Sequence, residues 1–246
     1  LTGGPGTGKT TVVKGILSVM EQAGCKILLA APTGRAAKRL AESAGRPALT
    51  VHRMLEYTPQ EGGTSFWGRD EDNPLEADAV IVDEASMLDI VLMYNLLRAL
   101  PLGCRLILVG DADQLPSVGP GNVLQDIIKS GTMPIVRLEN VFRQAELSPI
   151  VRNAHRINQG MLPEWKGEKD FTFRQFDTED ETMRYVVSLY AKLAANAPWQ
   201  SVQVLSPMHK NLCGVENLNT LIQERMNPPS PQKEELRSGF LLLREG

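Results

Sequence analysis

Four short stretches of the chain carry residue types whose spacing could do chemistry. The first is Gly3-x-x-x-x-Gly8-Lys9-Thr10, with Gly4, Pro5, Gly6 and Thr7 between its fixed positions. Glycines at this spacing let backbone N–H groups close around phosphate oxygens, Lys9 reaches the β/γ-phosphates, and Thr10 offers its hydroxyl to Mg²⁺. The second is Asp83-Glu84, which ends the apolar run Ala79-Val-Ile-Val82. Beside a phosphate loop on the same sheet, Asp83 would hold Mg²⁺, directly or through water, and Glu84 would orient and deprotonate an attacking water. The third is Gln114 in Gly110-Asp-Ala-Asp-Gln114, where an amide can hydrogen-bond a terminal phosphate or its water. The fourth is Arg143 in Leu138-Glu-Asn-Val-Phe-Arg-Gln144, a cation that a second domain could carry across a cleft to a transferring phosphoryl group. Taken alone, the last three motifs read as polar loop residues or a surface ion pair; the phosphate loop changes their weight.

These groups need a frame. Val12, Val13, Ile16, Leu17 and Met20 recur at helical spacing up to Gly24, so a helix leaves the phosphate loop. Short apolar runs at 26–31, 79–82 and 105–109 read as strands buried on both faces, the signature of a parallel sheet. Helices are expected over Gly34–Ala44, Thr50–Leu55, Ile90–Leu100 and, after Gly119 to Gly121, on to Ser130, with a further strand at Pro134–Leu138. Alternating strands and helices predict an α/β fold, with the site at the carboxyl ends of the strands. Residues 56–78 break this alternation, and the Glu61-Gly62-Gly63-Thr64 tip between Tyr57 and Phe66-Trp67 predicts a small hairpin or a solvated loop. Farther on, helices are expected over 147–158, 179–195 and 215–226, with strands at 171–176, 202–205 and 239–244. The loop stands at the start of the chain with only Leu1 and Thr2 before it, so the strand it normally follows is expected to be cut short.

Composition sets the outer limits. With 246 residues, 42% hydrophobic and 22% charged, the chain can hold one large or two modest globular domains. A net charge of −3 excludes a wholesale polyanion binder and leaves nucleic-acid contact to local basic patches. Cys25, Cys104 and Cys213 are far apart and show no CxxC spacing, which argues for idle thiols in a reducing cytoplasm rather than a zinc site. No apolar run approaches the roughly 20 residues of a membrane span, so no membrane partner is expected.

Together, GGPGTGKT, APTGRAAKRL (31–40), TVHRML (50–55), VIVDEASM (80–87), GDADQLPSVGPG (110–121) and LENVFRQ (138–144) resemble the motor segment of superfamily 1 helicases, in particular RecD-like and TraA-like DNA helicases. NAHRINQG (153–160) and VLSPMHK (204–210) extend the likeness over nearly the whole chain. The resemblance implies a RecA-like P-loop NTPase sheet over 1–136, with 56–78 as an insertion, followed by the start of a second RecA-like domain over 137–246. It implies hydrolysis of Mg²⁺-bound ATP coupled to 5′-to-3′ movement on single-stranded DNA, in partnership with recombination or repair subunits. By the same resemblance Lys9 and Thr10 take the phosphate and metal roles, Asp83 and Glu84 the metal and general-base roles, Gln114 the γ-phosphate sensor and Arg143 the first arginine finger. Thr33, Gly34 and His52 fall where the family touches the DNA backbone, and a helix N-terminus at Thr33 suits a DNA phosphate. Phe66 and Trp67 fall on a wedge-like hairpin facing a duplex fork, and Lys210 is a backbone contact from the second domain.

The family's glutamine-bearing segment ahead of the phosphate loop and its C-terminal motifs with a second arginine finger do not occur in this sequence, so the chain alone is expected to bind nucleotide but to hydrolyse and translocate poorly. Two alternatives stand beside the helicase reading. One is the helicase part of a conjugative relaxase; the other is a nucleotide-switched P-loop binding module without DNA stimulation.

Overall fold

The computed structural model describes residues 1–59, 65–138, 148–165, 170–198, 201–238 and 241–245. The chain forms two compact units, Leu1–Thr172 and Phe173–Gly246.

The first unit is built on parallel strands. In chain order it contains β1 (Thr2–Gly3), α1 (Lys9–Gln22), β2 (Ile27–Ala31), α2 (Gly34–Ala44), β3 (Leu49–Thr50), α3 (Val51–Met54), β4 (Tyr57–Pro59), β5 (Ser65–Trp67), β6 (Ala79–Val82), α4 (Ile90–Arg98), β7 (Arg105–Leu108), α5 (Val123–Ser130), β8 (Arg137–Leu138) and α6 (Pro149–Asn158). Strands β3, β2, β6 and β7 pair in that order, with Ile27 opposite Ala79 and Ala79 opposite Arg105. The parallel pair β1–β8 continues the sheet through a bridge between Thr2 and Gly110, and the Leu1 amine donates to the Leu108 carbonyl at 2.8 Å.

Why these strands are legible as apolar runs is clear from the core. On β6, Val80 and Val82 face Val51, Leu88, Leu92 and Leu96, whereas Ala79 and Ile81 face Val13, Leu17 and Leu40. All four residues of β6 are fully buried, so the two-residue alternation of a strand places apolar groups on both sides. The strand expected over 134–138 is shorter: Arg137 and Leu138 pair with Thr2 and Gly3, and the Val136 carbonyl accepts from the Thr2 N–H.

Strands β4 and β5 pair antiparallel, Thr58 opposite Phe66, within the 56–78 segment. The tip at 61–64 lies outside the described residues. Trp67 packs against the core and Arg69 bonds Glu56, which fixes the base of this excursion.

The second unit holds α7 (Glu179–Ala194), α8 (Val215–Met226), β9 (Glu235–Ser238) and β10 (Leu241–Arg244). The strands expected at 171–176 and 202–205 do not form among the described residues. Phe176 instead lays its ring against Tyr185 on α7, and Leu205 is largely exposed rather than buried. The strand expected over 239–244 does form, as β10, but in an antiparallel hairpin with β9. No helix among the described residues is long and apolar enough to cross a membrane.

Candidate functional site

The phosphate loop leaves β1 and enters α1 through two glycines that no other residue would serve well. Gly8 has φ 86°, the left-handed region, and it hands the chain to Lys9 at the first turn of α1. A Cβ on Gly3 would stand 2.7 Å from both the Leu138 carbonyl and the Thr7 hydroxyl, so the loop lies flush against β8. Thr7 is buried and donates from its hydroxyl to the Gly4 carbonyl at 2.9 Å. Lys9 folds back over the loop: Nζ donates to the carbonyls of Gly3 at 2.6 Å and Gly4 at 3.0 Å. The ammonium is thus held at the mouth of the loop by neutral acceptors that phosphate oxygens can replace. Thr10, one residue on, is exposed.

Strand β6 delivers Asp83 and Glu84 to the same carboxyl edge of the sheet. Glu84 is a non-glycine residue at φ 54°, a sparsely populated conformation, and its N–H donates to Asp83 Oδ1 at 2.9 Å. The strand ends here because the turn reverses into the short 3₁₀ segment Ala85–Met87. Burial pushes the Asp83 carboxyl above the ordinary range, against the opposing pull of the Glu84 N–H and of Lys9. Burial likewise raises Glu84, and the Asp83 charge raises it further, while Lys9 and Arg39 counter. Asp111 adds to the rise. Half-buried carboxylates beside one ammonium are a setting that a divalent cation would neutralise. Among the described residues no cluster of three acidic, His or Cys side chains forms a metal cage. That donor set fits Mg²⁺, which takes one or two carboxylates and keeps phosphate oxygens and waters for the rest.

These raised carboxyls carry a pH consequence. The folded chain holds the two protons more tightly than the unfolded chain does, so their contribution to stability is present below about pH 4 and lost as pH rises through the elevated folded values. Asp83→Asn keeps an oxygen for the Glu84 N–H but removes the charge. Its thermal midpoint at pH 7 should exceed that of the parent chain, and the gap should close toward pH 4. An Asp83→Asn chain that melts below the parent at pH 7 would contradict this electrostatic account.

The loop after β7 completes this edge. Asp111 is buried and its Oδ1 accepts from the Asp113 N–H at 3.0 Å. Thr2 Oγ1 accepts from the Ala112 N–H, and Gln125 Nε2 donates to the Ala112 carbonyl at 2.6 Å, so β1 and α5 both hold the loop. Gln114 itself is exposed. Arg143 lies outside the described residues.

The residues placed on DNA by resemblance follow β2 and β3 at the same carboxyl edge. Thr33 caps α2, its hydroxyl accepting from the Ala36 N–H at 3.2 Å, and Gly34 is the first helical residue. His52, exposed on α3, lies nearly parallel to Trp67 at 5.9 Å and edge-on to Tyr57 at 5.3 Å. Trp67 is therefore engaged in a ring cluster, and Phe66 is the ring of this hairpin that stands in solvent, 56% exposed. Lys210 is exposed in the second unit.

Sequence reasoning passed over three neighbours of the site. Arg39 and Asp111 act electrostatically on Glu84, and His155 on α6 lies against Gly4. Asp111 had a signal, since it follows a buried strand as Asp83 does. Arg39 and His155 had none, because only tertiary packing brings them here.

A family model described as an AAA domain matches residues 1–120. The chain is 41% identical to the ATP-dependent RecD2 DNA helicase of Deinococcus radiodurans over 228 residues, covering 93% of this chain and 30% of that protein. It is 46% identical over 151 residues to the RecBCD enzyme subunit RecD of Mycobacterium tuberculosis, covering 52% of this chain and 26% of that one. The chain thus spans less than a third of the length of these relatives. Among solved structures, Pif1 from a Bacteroides species in complex with ADP-AlF4 aligns over 63% of this chain and 41% of its own, at 25% identity and TM-score 0.41.

Proposed function

We propose that the chain is the ATP-hydrolysing motor of a RecD-like DNA helicase that moves 5′-to-3′ on single-stranded DNA. The observation that carries this reading is the convergence of Lys9 with the Asp83–Glu84 pair at one edge of the sheet, where each carboxyl feels the ammonium.

In this reading the loop amides, Lys9 and Thr10 bind the phosphates, and Thr10 with Asp83 holds Mg²⁺, which neutralises charge on the phosphates when bound. Glu84 takes the proton of the attacking water. Gln114 contacts the γ-phosphate, and Arg143 reaches it from the second motor domain. The first of these domains takes residues 1–136, with 56–78 inserted, together with β8, whose Arg137 and Leu138 pair with Thr2 and Gly3 in the same sheet, and the second follows. Thr33, Gly34, His52 and Lys210 follow the DNA backbone. Phe66, exposed on its hairpin, meets the fork, while Trp67 supports it from the ring cluster.

ATP turnover measured on the intact protein should rise on addition of single-stranded DNA. The DNA affinity should fall steeply with salt, because phosphate contacts release counterions. Nucleotide binding with no DNA stimulation and no salt-dependent DNA affinity would instead identify a nucleotide-switched binding module.

A further inference from the structure

We infer that His155 is a nucleotide-binding residue, directed at the terminal phosphate and supplied by α6 rather than by the phosphate loop. The inference rests on reading the loop as a nucleotide site. A Cβ on Gly4 would stand 3.3 Å from His155 Cε1, so the imidazole covers the second residue of the loop. The adjoining ring nitrogen, Nε2, is buried and meets no hydrogen-bond partner among the described residues. A buried polar nitrogen without a partner is unfavourable and calls for an explanation in the molecule's working state.

The ring is not there by loose packing. Two residues earlier on the same helix, Asn153 is 2% exposed and bonds the Glu164 backbone in both directions, each at 2.7 Å. Arg156 donates to the Leu162 carbonyl at 2.9 Å and pairs with Glu164 at 3.0 Å. These contacts clamp the end of α6 to residues 162–164 and hold His155 over the loop. Lys9 Nζ sits on the Gly4 carbonyl, and a lysine at this position serves the outer phosphates of a bound nucleotide. His155 and Lys9 therefore converge on Gly4, the part of the loop that Lys9 assigns to the outer phosphates. As the Nε2–H tautomer, the imidazole donates to a phosphate oxygen and gains the partner it lacks.

This contact separates a triphosphate from a diphosphate. Equilibrium titration with fluorescent ATP and ADP in the presence of Mg²⁺ reads it directly. His155→Phe keeps a ring over Gly4 without a donor and should weaken the triphosphate roughly ten- to a hundredfold, with the diphosphate changed by less than about twofold. His155→Gln restores a donor on a flexible stem and should recover most of the triphosphate affinity. Equal weakening of both nucleotides, or parental affinity for the triphosphate in His155→Phe, would overturn the inference and leave the ring as a cover for the loop. Lys9→Ala is the control for the premise: if it binds both nucleotides as the parent does, the nucleotide site itself is misplaced and not merely His155.

Discussion

Lys9→Ala should lower ATP affinity by about a hundredfold and bring turnover to background. The ammonium donates to two loop carbonyls, at 2.6 and 3.0 Å, so its position at the mouth of the loop is set before any phosphate arrives. Replacing those neutral acceptors with phosphate oxygens sets the ammonium against full negative charge, which strengthens both hydrogen bonds. Two such bonds at about 1.5 kcal/mol each amount to roughly a factor of a hundred in affinity. The alanine chain should nevertheless fold, since the core that α1 contributes comes from Val13 and Leu17, farther along the helix. Titration of fluorescent ATP into both proteins, with thermal unfolding as a check, measures the effect. Parental affinity in a folded Lys9→Ala chain would dismiss the loop as the nucleotide site, and with it the roles given to Thr10 and Asp83.

How far the sequence alone reaches can be judged strand by strand. The runs at 27–31 and 79–82 were readable because a strand buried on both faces has to be apolar throughout, as the packing of Val80 against Leu88 and of Ile81 against Val13 illustrates. The run at 105–108 was readable although Arg105 is exposed and the rest half-buried. The phosphate loop and Asp83-Glu84 were readable because their chemistry is local in sequence. The same pattern rules failed at 171–176, which alternates, and at 202–205, which is apolar: neither is a strand among the described residues. A strand is a property of a pair, and one segment carries only half of the information. His155 was hidden for a related reason: it is some 150 positions from Gly4, and nothing in NAHRINQG marks which face of its helix meets the loop. Trp67 shows the reverse error of emphasis. An aromatic pair at a hairpin suggested a wedge, yet one of the two rings is taken up by His52 and Tyr57.

Glu84→Gln should separate binding from chemistry more sharply than any other substitution in this chain. The carboxyl is pushed upward by burial and by Asp83, which makes it a stronger base than a solvated glutamate, and Lys9 keeps that rise within bounds. Its backbone is held at φ 54° by the turn into residues 85–87, so a glutamine of nearly the same shape inherits the same position. What it loses is the ability to accept a proton from water. A positioned general base contributes about 10²- to 10⁴-fold, and hydrolysis in single-turnover experiments should fall by that factor. Affinity for ATP should stay level or rise, because one of the negative charges gathered with Asp83 and Asp111 has been removed from beside the triphosphate. The two readouts therefore move in opposite directions, which a merely structural role for Glu84 would not produce. If Glu84→Gln weakens ATP binding and turnover together, Glu84 holds the nucleotide or its metal, and the base must be sought elsewhere on the same edge, with Asp111 the first to test.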